Sequence, residues 1–245
     1  MILSKDSYFR RPPKVFSKDQ VVIFNSISYC LDICDLAFER LKDNCYKLIY
    51  STDSYKPTFP FLFSDVWTII QNSSIFMKLL KTHFNIDIKE PLLDEIRDVK
   101  SLRDTSQHID ERLTEVLLKK ELPTYGVLSW FSREHIDSND GIIAICYPGT
   151  FTDKNSINAF AVTPKDLNLK QKVFNIEFTG IIRPKPYDDY FEKNTVIIDK
   201  LIEGTENIII NLEKQIDNRV KDDDIDVTER HRSDILITDF VKIIS

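Results

Sequence analysis

The chain has 245 residues, of which 42% are hydrophobic and 29% charged, and its net charge is −6. This length can bury a proper core as one large domain or two small ones, and the composition is that of a folded soluble protein. The acidic balance argues against generic binding to DNA or membranes, because affinity for phosphate comes from clustered Lys and Arg. A nucleic-acid function would therefore require a local basic site.

The sequence also indicates the cellular location of the protein and the redox state of its cysteines. No apolar run approaches the ~20 residues needed to cross a bilayer, and the first residues, Met1 to Asp6, lack the apolar core of a signal peptide. These features predict a cytoplasmic protein with no membrane association. The cysteines have no metal-ligand spacing and are expected to be reduced core residues; they are Cys30, Cys34, Cys45 and Cys146.

Glycine and proline divide the chain near residue 123. All five glycines follow residue 125, which indicates turns between strands. The prolines at positions 57, 60, 91 and 123 instead cut the first half into helix-length pieces. The chain is therefore expected to change from helices to strands at this point.

Three helices are predicted in the first half. The first starts after Ser17, an N-cap with Gln20 at the capping-box position, and its apolar residues recur at helical spacing from Val21 to Leu41. The second starts near Ser64–Asp65. The third runs from Pro91 to Lys120.

After residue 125 the hydrophobic pattern changes to a period of two or to short apolar runs, which predicts strands. The alternation is clearest over 173–182, as expected for an antiparallel sheet with one wet face. A final helix is predicted over 187–220 with a bend at Gly204, followed by a charged, mobile connector at 221–226. Residues 234–244 fit either a strand or a short helix. The predicted strands are 126–131, 142–147, 157–162 and 173–182.

These elements predict an α+β fold, in which an antiparallel helical bundle carries an inserted antiparallel β-meander before its last long helix. The bundle covers residues 1–122, the β-rich insertion covers 123–185, and the final bundle helix with the C-terminal tail covers 186–245. We expect the three parts to pack as one compact domain.

The third predicted helix holds the densest group of ionisable residues, around Arg103, Asp104 and His108. An arginine, then a polar residue, and a histidine five positions after the arginine resemble the signature of the HEPN superfamily. These helical-bundle proteins include metal-independent endoribonucleases of toxin and defence systems. The resemblance covers the helical part of the chain, residues 17–120 and the last long helix, and it implies a HEPN-like bundle.

The resemblance also implies a division of chemical roles. Arg103 would hold the scissile phosphate with its permanently charged guanidinium. His108 would act on the proton, because the pKa of histidine lies near neutrality. In HEPN nucleases two copies of the motif meet across a dimer, which implies a homodimer that acts on RNA without a metal or another cofactor.

Helix geometry adds supporting residues and one constraint. Residues five apart on a regular helix point about 140° apart, so Arg103 and His108 converge only on a distorted helix or across a partner subunit. Asp104, His108 and Arg112 follow one another at i+4 and share a face; they either orient the imidazole or form a surface ion-pair strip. Asp65, on the second helix, is a candidate acidic helper.

Two other features favour structural roles. The aromatic segment 59–63, with Trp67 nearby, favours a core or oligomer contact over a ligand platform. Arg133 and His135 alternate on one face of a strand, where a solvated surface is favoured over a phosphate contact.

Three functional hypotheses follow. The first is a HEPN-like, metal-independent endoribonuclease of a toxin–antitoxin or anti-phage system, acting on RNA as a homodimer under the control of an antitoxin or another regulatory protein. The second is a non-catalytic interaction or oligomerisation protein of the same fold. The third is a sensor that binds a nucleotide or another small ligand between the sheet and the bundle.

Overall fold

The computed structural model describes residues 1–52, 57–87, 89–107, 123, 125–138, 140–149, 162, 170–182, 192–231 and 234. These residues form four α-helices, one short 3-10 helix and a four-stranded antiparallel sheet. The predicted α+β class and the antiparallel sheet are confirmed.

Helix α1 (Lys18–Tyr50) starts where the sequence predicts. The Gln20 backbone N–H donates to Ser17 Oγ at 3.3 Å, and the Ser17 N–H donates to Gln20 Oε1 at 2.8 Å. This is the predicted capping box, and it satisfies two backbone donors that no helical carbonyl can reach. The predicted inward stripe is buried from Phe24 to Leu41 and packs against the second helix.

The outer side of α1 is also apolar. Val22, Tyr29, Ile33 and Leu36 are exposed and follow one another at helical spacing, so they form one stripe. Of the described helices, α1 alone is long and apolar enough to cross a membrane, and 44% of its apolar window is buried inside the protein. The core helix of a soluble protein has the same properties, so α1 is compatible with a soluble protein.

Helix α2 (Phe59–His83) starts more than a turn before the predicted start at residue 64. The reason is Pro60, which the sequence pattern treats as a helix boundary. Proline suits the first turn of a helix, because the N–H that it lacks has no partner there. The proline therefore opens α2, and Thr58 is its N-cap.

The predicted third helix is interrupted near its start. A 3-10 helix (Pro91–Leu93) comes first, and helix α3 spans Val99–Gln107. Between them the backbone makes bonds of i→i−3 type, with the N–H of Ile96 donating to the Leu93 carbonyl at 3.1 Å. A single α-helix over 91–98 is therefore wrong, because three-residue spacing is what buries Leu93, Ile96 and Val99 together. Residues 108–122 lie outside the described part.

The sheet consists of β1 (Val127–Ser132), β2 (Ile142–Cys146), β3 (Val173–Ile182) and β4 (Glu192–Ile197). Three strands lie where the sequence predicts them. The order is β2-β1-β3-β4, so β3 pairs with β1 instead of β2, and the predicted β-meander order is wrong. The predicted strand at 157–162 lies outside the described residues except for Val162, which is buried outside the strands.

The last helix begins later in the chain than the sequence predicts. Residues 192–197 form β4, and helix α4 covers Ile198–Asp222. The run Thr195, Val196 and Ile197 is β-branched, which favours a strand, and the Thr195 hydroxyl lies 2.8 Å from that of Thr179 on β3. Pairing with β3 therefore outweighs the helical pattern that continues into α4.

Gly204 lies inside α4, which continues through it where the sequence suggests a bend. A Cβ atom added at Gly204 would lie 2.6 Å from Glu95 Cβ and 3.8 Å from Ile96 Cγ2. The glycine therefore serves close packing between α4 and the segment that precedes α3.

Gly204→Ala is expected to lower the free energy of unfolding by about 1–3 kcal/mol, because the new methyl group has no space beside Glu95. Alanine favours helix by up to about 1 kcal/mol, so the steric cost must exceed this gain. Urea unfolding followed by circular dichroism measures the difference, and Asn207→Ala, at an exposed position of α4, is the control. Higher stability of Gly204→Ala would show that helix propensity prevails.

One buried hydrophobic cluster joins the helices to the sheet, with members on all four α-helices and on every strand. A second, small cluster consists of Phe131, Val162 and Phe174. The sheet therefore packs directly on the bundle, and residues that connect the two layers are candidates for a site between them.

The segment after α4 is joined to the N-terminal segment. Lys14 Nζ donates to Glu229 Oε2 at 2.9 Å, and Pro13 and Arg230 form an antiparallel β-bridge. The connector at 221–226, predicted to be mobile, is therefore held between α4 on one side and these contacts on the other.

Candidate functional site

Helix α3 packs against the sheet through the residue that precedes Arg103. That residue, Leu102, is fully buried, and Gly180 of β3 allows this close approach, because a Cβ there would lie 2.8 Å from Leu102 Cδ2. The Arg103 side chain is only 20% exposed, and its Nη1 lies 3.6 Å from Asp104 Oδ1. Arg103 is thus a largely buried cation with an acidic neighbour.

The other half of the predicted motif lies outside the described residues. His108 and Arg112 both follow the last described residue of α3, Gln107. The pairing of Arg103 with His108, and the shared face of Asp104, His108 and Arg112, therefore stay predictions.

Asp65 is buried on α2, where its side chain is 6% exposed. Its Oδ1 accepts hydrogen bonds from Arg40 of α1, from Nη2 at 2.6 Å and from Nε at 3.2 Å. Burial raises the pKa of Asp65, whereas the hydrogen bonds and charge of Arg40 lower it. Among the described residues, the hydrogen-bond partner of Asp65 is thus an arginine of the bundle, and its predicted role beside Arg103 remains a prediction.

Arg133 differs from its predicted solvated position. It is 2% exposed, and its guanidinium donates to the carbonyls of Gln171 at 2.8 Å and Ser138 at 3.0 Å. Strand β1 ends at Ser132, so the alternation that predicted an outward side chain no longer applies. Arg133 organises the turn after β1, and His135 is exposed within that turn.

Asp199 is a partly buried carboxylate that the sequence pattern does not reveal. Asn175 has φ +50° and sits where the register between β1 and β3 shifts, which is a β-bulge. The freed Ile176 N–H donates to Asp199 Oδ2 at 2.6 Å. Burial raises the pKa of Asp199 to about 6, although the Ile176 hydrogen bond and the charge of Lys42 lower it.

An aromatic cleft of about 400 Å³ lies between the start of α2 and the sheet. Phe59, Phe63 and Trp67 are spaced four residues apart and share one face of α2, and Tyr125 closes the cleft from the sheet side. The aromatic segment 59–63 is therefore divided between the cleft and the surface, because Phe61 is exposed and is not among the lining residues. Among the described residues, the lining consists of Phe59, Pro60, Phe63, Ser64, Trp67, Tyr125 and Pro148.

The predicted reduced state of the cysteines is confirmed, since all four are buried free thiols. Burial raises the pKa of the Cys34 and Cys146 thiols to about 12, so these two are poor nucleophiles. Within the described part of the chain, no three His, Cys, Asp or Glu side chains are grouped so that they could hold a metal ion.

The sequence matches no protein-family model, and no curated protein or solved structure is significantly similar to it. The HEPN-like arrangement of the bundle therefore stays a prediction.

Proposed function

We propose that this protein is a HEPN-like, metal-independent endoribonuclease that cleaves RNA with Arg103 and His108. The observation that carries the proposal is the placement of Arg103, which is mostly buried on a helix packed against α2 and β3. A guanidinium held in this way binds phosphate without the entropic cost of ordering a free side chain. His108 follows at the spacing of the HEPN signature.

In the proposed reaction, Arg103 and His108 have separate tasks. The 2′-oxygen of a ribose attacks the neighbouring phosphorus, and the bond from phosphorus to the 5′-oxygen breaks. One proton leaves the 2′-hydroxyl and another reaches the departing 5′-oxygen, and histidine serves in these transfers. Arg103 stabilises the negative charge on the phosphoryl oxygens. The products are a 2′,3′-cyclic phosphate and a 5′-hydroxyl.

A homodimer fits the charge and the helix geometry. The chain carries a net charge of −6, and Asp104 lies beside Arg103, so one chain offers little positive potential to RNA. A second copy adds another arginine and completes a motif whose members diverge on a straight helix. A cytoplasmic location and control by an antitoxin or another regulatory protein belong to the same proposal.

A second candidate is a non-catalytic interaction protein that uses the outer stripe of α1. Val22, Tyr29, Ile33 and Leu36 expose an apolar strip on one helix, and such strips are typical of contacts with another chain. This candidate needs neither Arg103 nor His108.

The test is incubation of purified protein with total RNA in EDTA. We expect cleavage by the wild type, products that end in 2′,3′-cyclic phosphate, and a loss of at least about 100-fold in rate for His108→Ala. His135→Ala is the matched control, because this histidine is exposed in a turn and its loss should leave the rate unchanged.

Two results would contradict the nuclease. Equal cleavage by the wild type and His108→Ala would place the activity at another site or in a contaminant. A wild type that leaves RNA intact, but forms a dimer that Leu36→Asp dissociates, would support the interaction protein.

A further inference from the structure

The aromatic cleft between α2 and the sheet is lined by described residues that carry no charge. Its volume of about 400 Å³ falls within the range of about 300–1,000 Å³ that is typical of small-molecule sites. Phe63 is buried in its wall, whereas Phe59 and Tyr125 are exposed at its edge. The cleft therefore has aromatic walls and an open side through which a ligand can enter.

We propose that this cleft binds the planar ring of a nucleobase. Four aromatic side chains on two elements offer faces for stacking, and rings stack on such faces with little dependence on the identity of the base. An aliphatic chain would leave this stacking unused, and a charged group would find no opposite charge among the described lining residues. A neutral, flat ring is the chemistry that this lining accepts best.

Polar groups of the lining favour a ring with hydrogen-bonding edges over a plain hydrocarbon ring. The hydroxyl groups of Ser64 and Tyr125 belong to lining residues, and Tyr125 is exposed at the open side of the cleft. The ring nitrogens and carbonyls of a nucleobase supply acceptors for such donors.

The start of α2 lies at the cleft, because Phe59 and Pro60 are its first residues. The first turn contains no acidic side chain, and Thr58 makes no capping hydrogen bond with its side chain. The first turn of α2 therefore supplies no negative charge against the positive end of its own dipole, which favours a phosphate attached to the bound ring. This electrostatic contribution adds to the stacking and does not replace it.

The nucleobase can belong to a free nucleotide or to a strand of RNA. The second source would connect the cleft to the proposed nuclease through β3. The Phe178 ring meets Trp67 in a T-shaped contact at 5.0 Å, and Gly180, two residues on, lies against Leu102, the neighbour of Arg103. The first source is independent of cleavage, so the cleft can bind a base even if the protein is no nuclease.

The test uses the fluorescence of Trp67, since the chain has only two tryptophans. In a Trp130→Phe background, we expect AMP to quench the remaining tryptophan saturably, because a base stacks near the indole. Phe59→Ala and Tyr125→Ala should each weaken binding by about tenfold. Phe61→Ala is the matched control, because this exposed phenylalanine of α2 is not among the lining residues. The affinity of this variant for AMP should equal that of the wild type. Calorimetry on the chain with both tryptophans repeats the titration without the Trp130 substitution.

Two further probes distinguish the source of the base and test whether the phosphate alone binds. Ribose 5-phosphate carries the phosphate but no base, and it should not bind. A single-stranded oligoadenylate is titrated in a His108→Ala background, where cleavage cannot remove it. Binding of AMP as tight as that of the oligoadenylate supports a free nucleotide as the ligand. Binding of the oligoadenylate alone supports a base within an RNA strand.

The inference would be overturned by any of three results. The first result is that ribose 5-phosphate binds as tightly as AMP, which would indicate an anion site only. The second is that Phe59→Ala and Tyr125→Ala bind AMP with the affinity of the wild type. The third result is that neither AMP nor the oligoadenylate binds. Self-association through Phe59 and Tyr125 would then identify the cleft as a protein contact. RNA cleavage is measured separately, so failure of the nuclease and failure of the cleft are distinguishable.

Discussion

Phe178→Ala is expected to lower the free energy of unfolding by about 3–5 kcal/mol, the range for deleting a large buried aromatic side chain. The ring is fully buried and contacts Trp67 at 5.0 Å and Phe63 at 6.5 Å between centroids. A Cβ at Gly126 would lie 2.6 Å from the same ring. Phe178 therefore fills space between helix α2 and strand β1, and its removal leaves a cavity that neither layer can close alone.

Urea unfolding followed by circular dichroism and by tryptophan fluorescence measures this loss. Phe61→Ala is the control, because it removes an equal side chain from an exposed position of α2 and should change stability by less than about 0.5 kcal/mol. If the two variants are equally stable, Phe178 does not join the sheet to the bundle.

Asp199→Asn is expected to stabilise the protein at neutral pH, by on the order of 1–3 kcal/mol. The pKa of Asp199 is about 6 in the folded protein against an ordinary value of 3.8, so the folded state binds this proton more tightly than the unfolded chain. The contribution of Asp199 to stability therefore falls as the pH rises from about 4 through 6. Asparagine is neutral at every pH, and its carbonyl can still accept the Ile176 N–H.

Thermal unfolding at pH 4.5 and pH 7.5 measures this effect. The stabilisation by Asp199→Asn should be largest at pH 7.5 and about a third as large at pH 4.5. Asp226→Asn controls the sign, because hydrogen bonds from Thr228 lower the pKa of Asp226, and that variant should lose stability at neutral pH. A destabilised Asp199→Asn at pH 7.5 would mean that the ionised carboxylate contributes more than its burial costs.

The elements predicted correctly are those specified by local interactions. Ser17 and Gln20 are three residues apart and form the capping box by themselves. The strand at 173–182 is specified by its own alternation, and its bounds agree with the structure. In such segments the residues that determine the conformation are close in sequence, so the pattern is sufficient.

The elements that differ depend on distant partners. Residues 192–197 form a strand because β3 offers an edge for pairing, and nothing within the segment itself reveals that edge. Arg133 is buried because the Gln171 carbonyl, 38 residues away, accepts its hydrogen bond. Pairing between strands also determines the sheet order, which local alternation cannot specify.

The candidate site shows the same division. The spacing of Arg103 and His108 is a property of the sequence, whereas the burial of Arg103 depends on α2 and β3. Asp65 was predicted as a helper from its helix position alone, and the arginine that it bonds, Arg40, comes from α1. The aromatic cleft needs two elements, and a helix that starts at residue 64 excludes Phe59 and Phe63, whose shared face with Trp67 exists only on the longer α2.

The contact between the N-terminal segment and the last turns of α4 also sets an order of events during synthesis. Tyr8 donates to Asp217 at 2.6 Å across a separation of 209 residues. At about 5–20 residues per second, a ribosome takes roughly 10–40 s to produce the acceptor after the donor has appeared. Helices α1 and α2 can pair well before that. The nascent chain therefore holds a partly folded bundle in which the N-terminal segment has not yet made its contact with α4. Joining the N-terminal segment to α4 is therefore a late step, and variants of Tyr8 should mainly speed unfolding, because a contact that forms late is absent from the transition state.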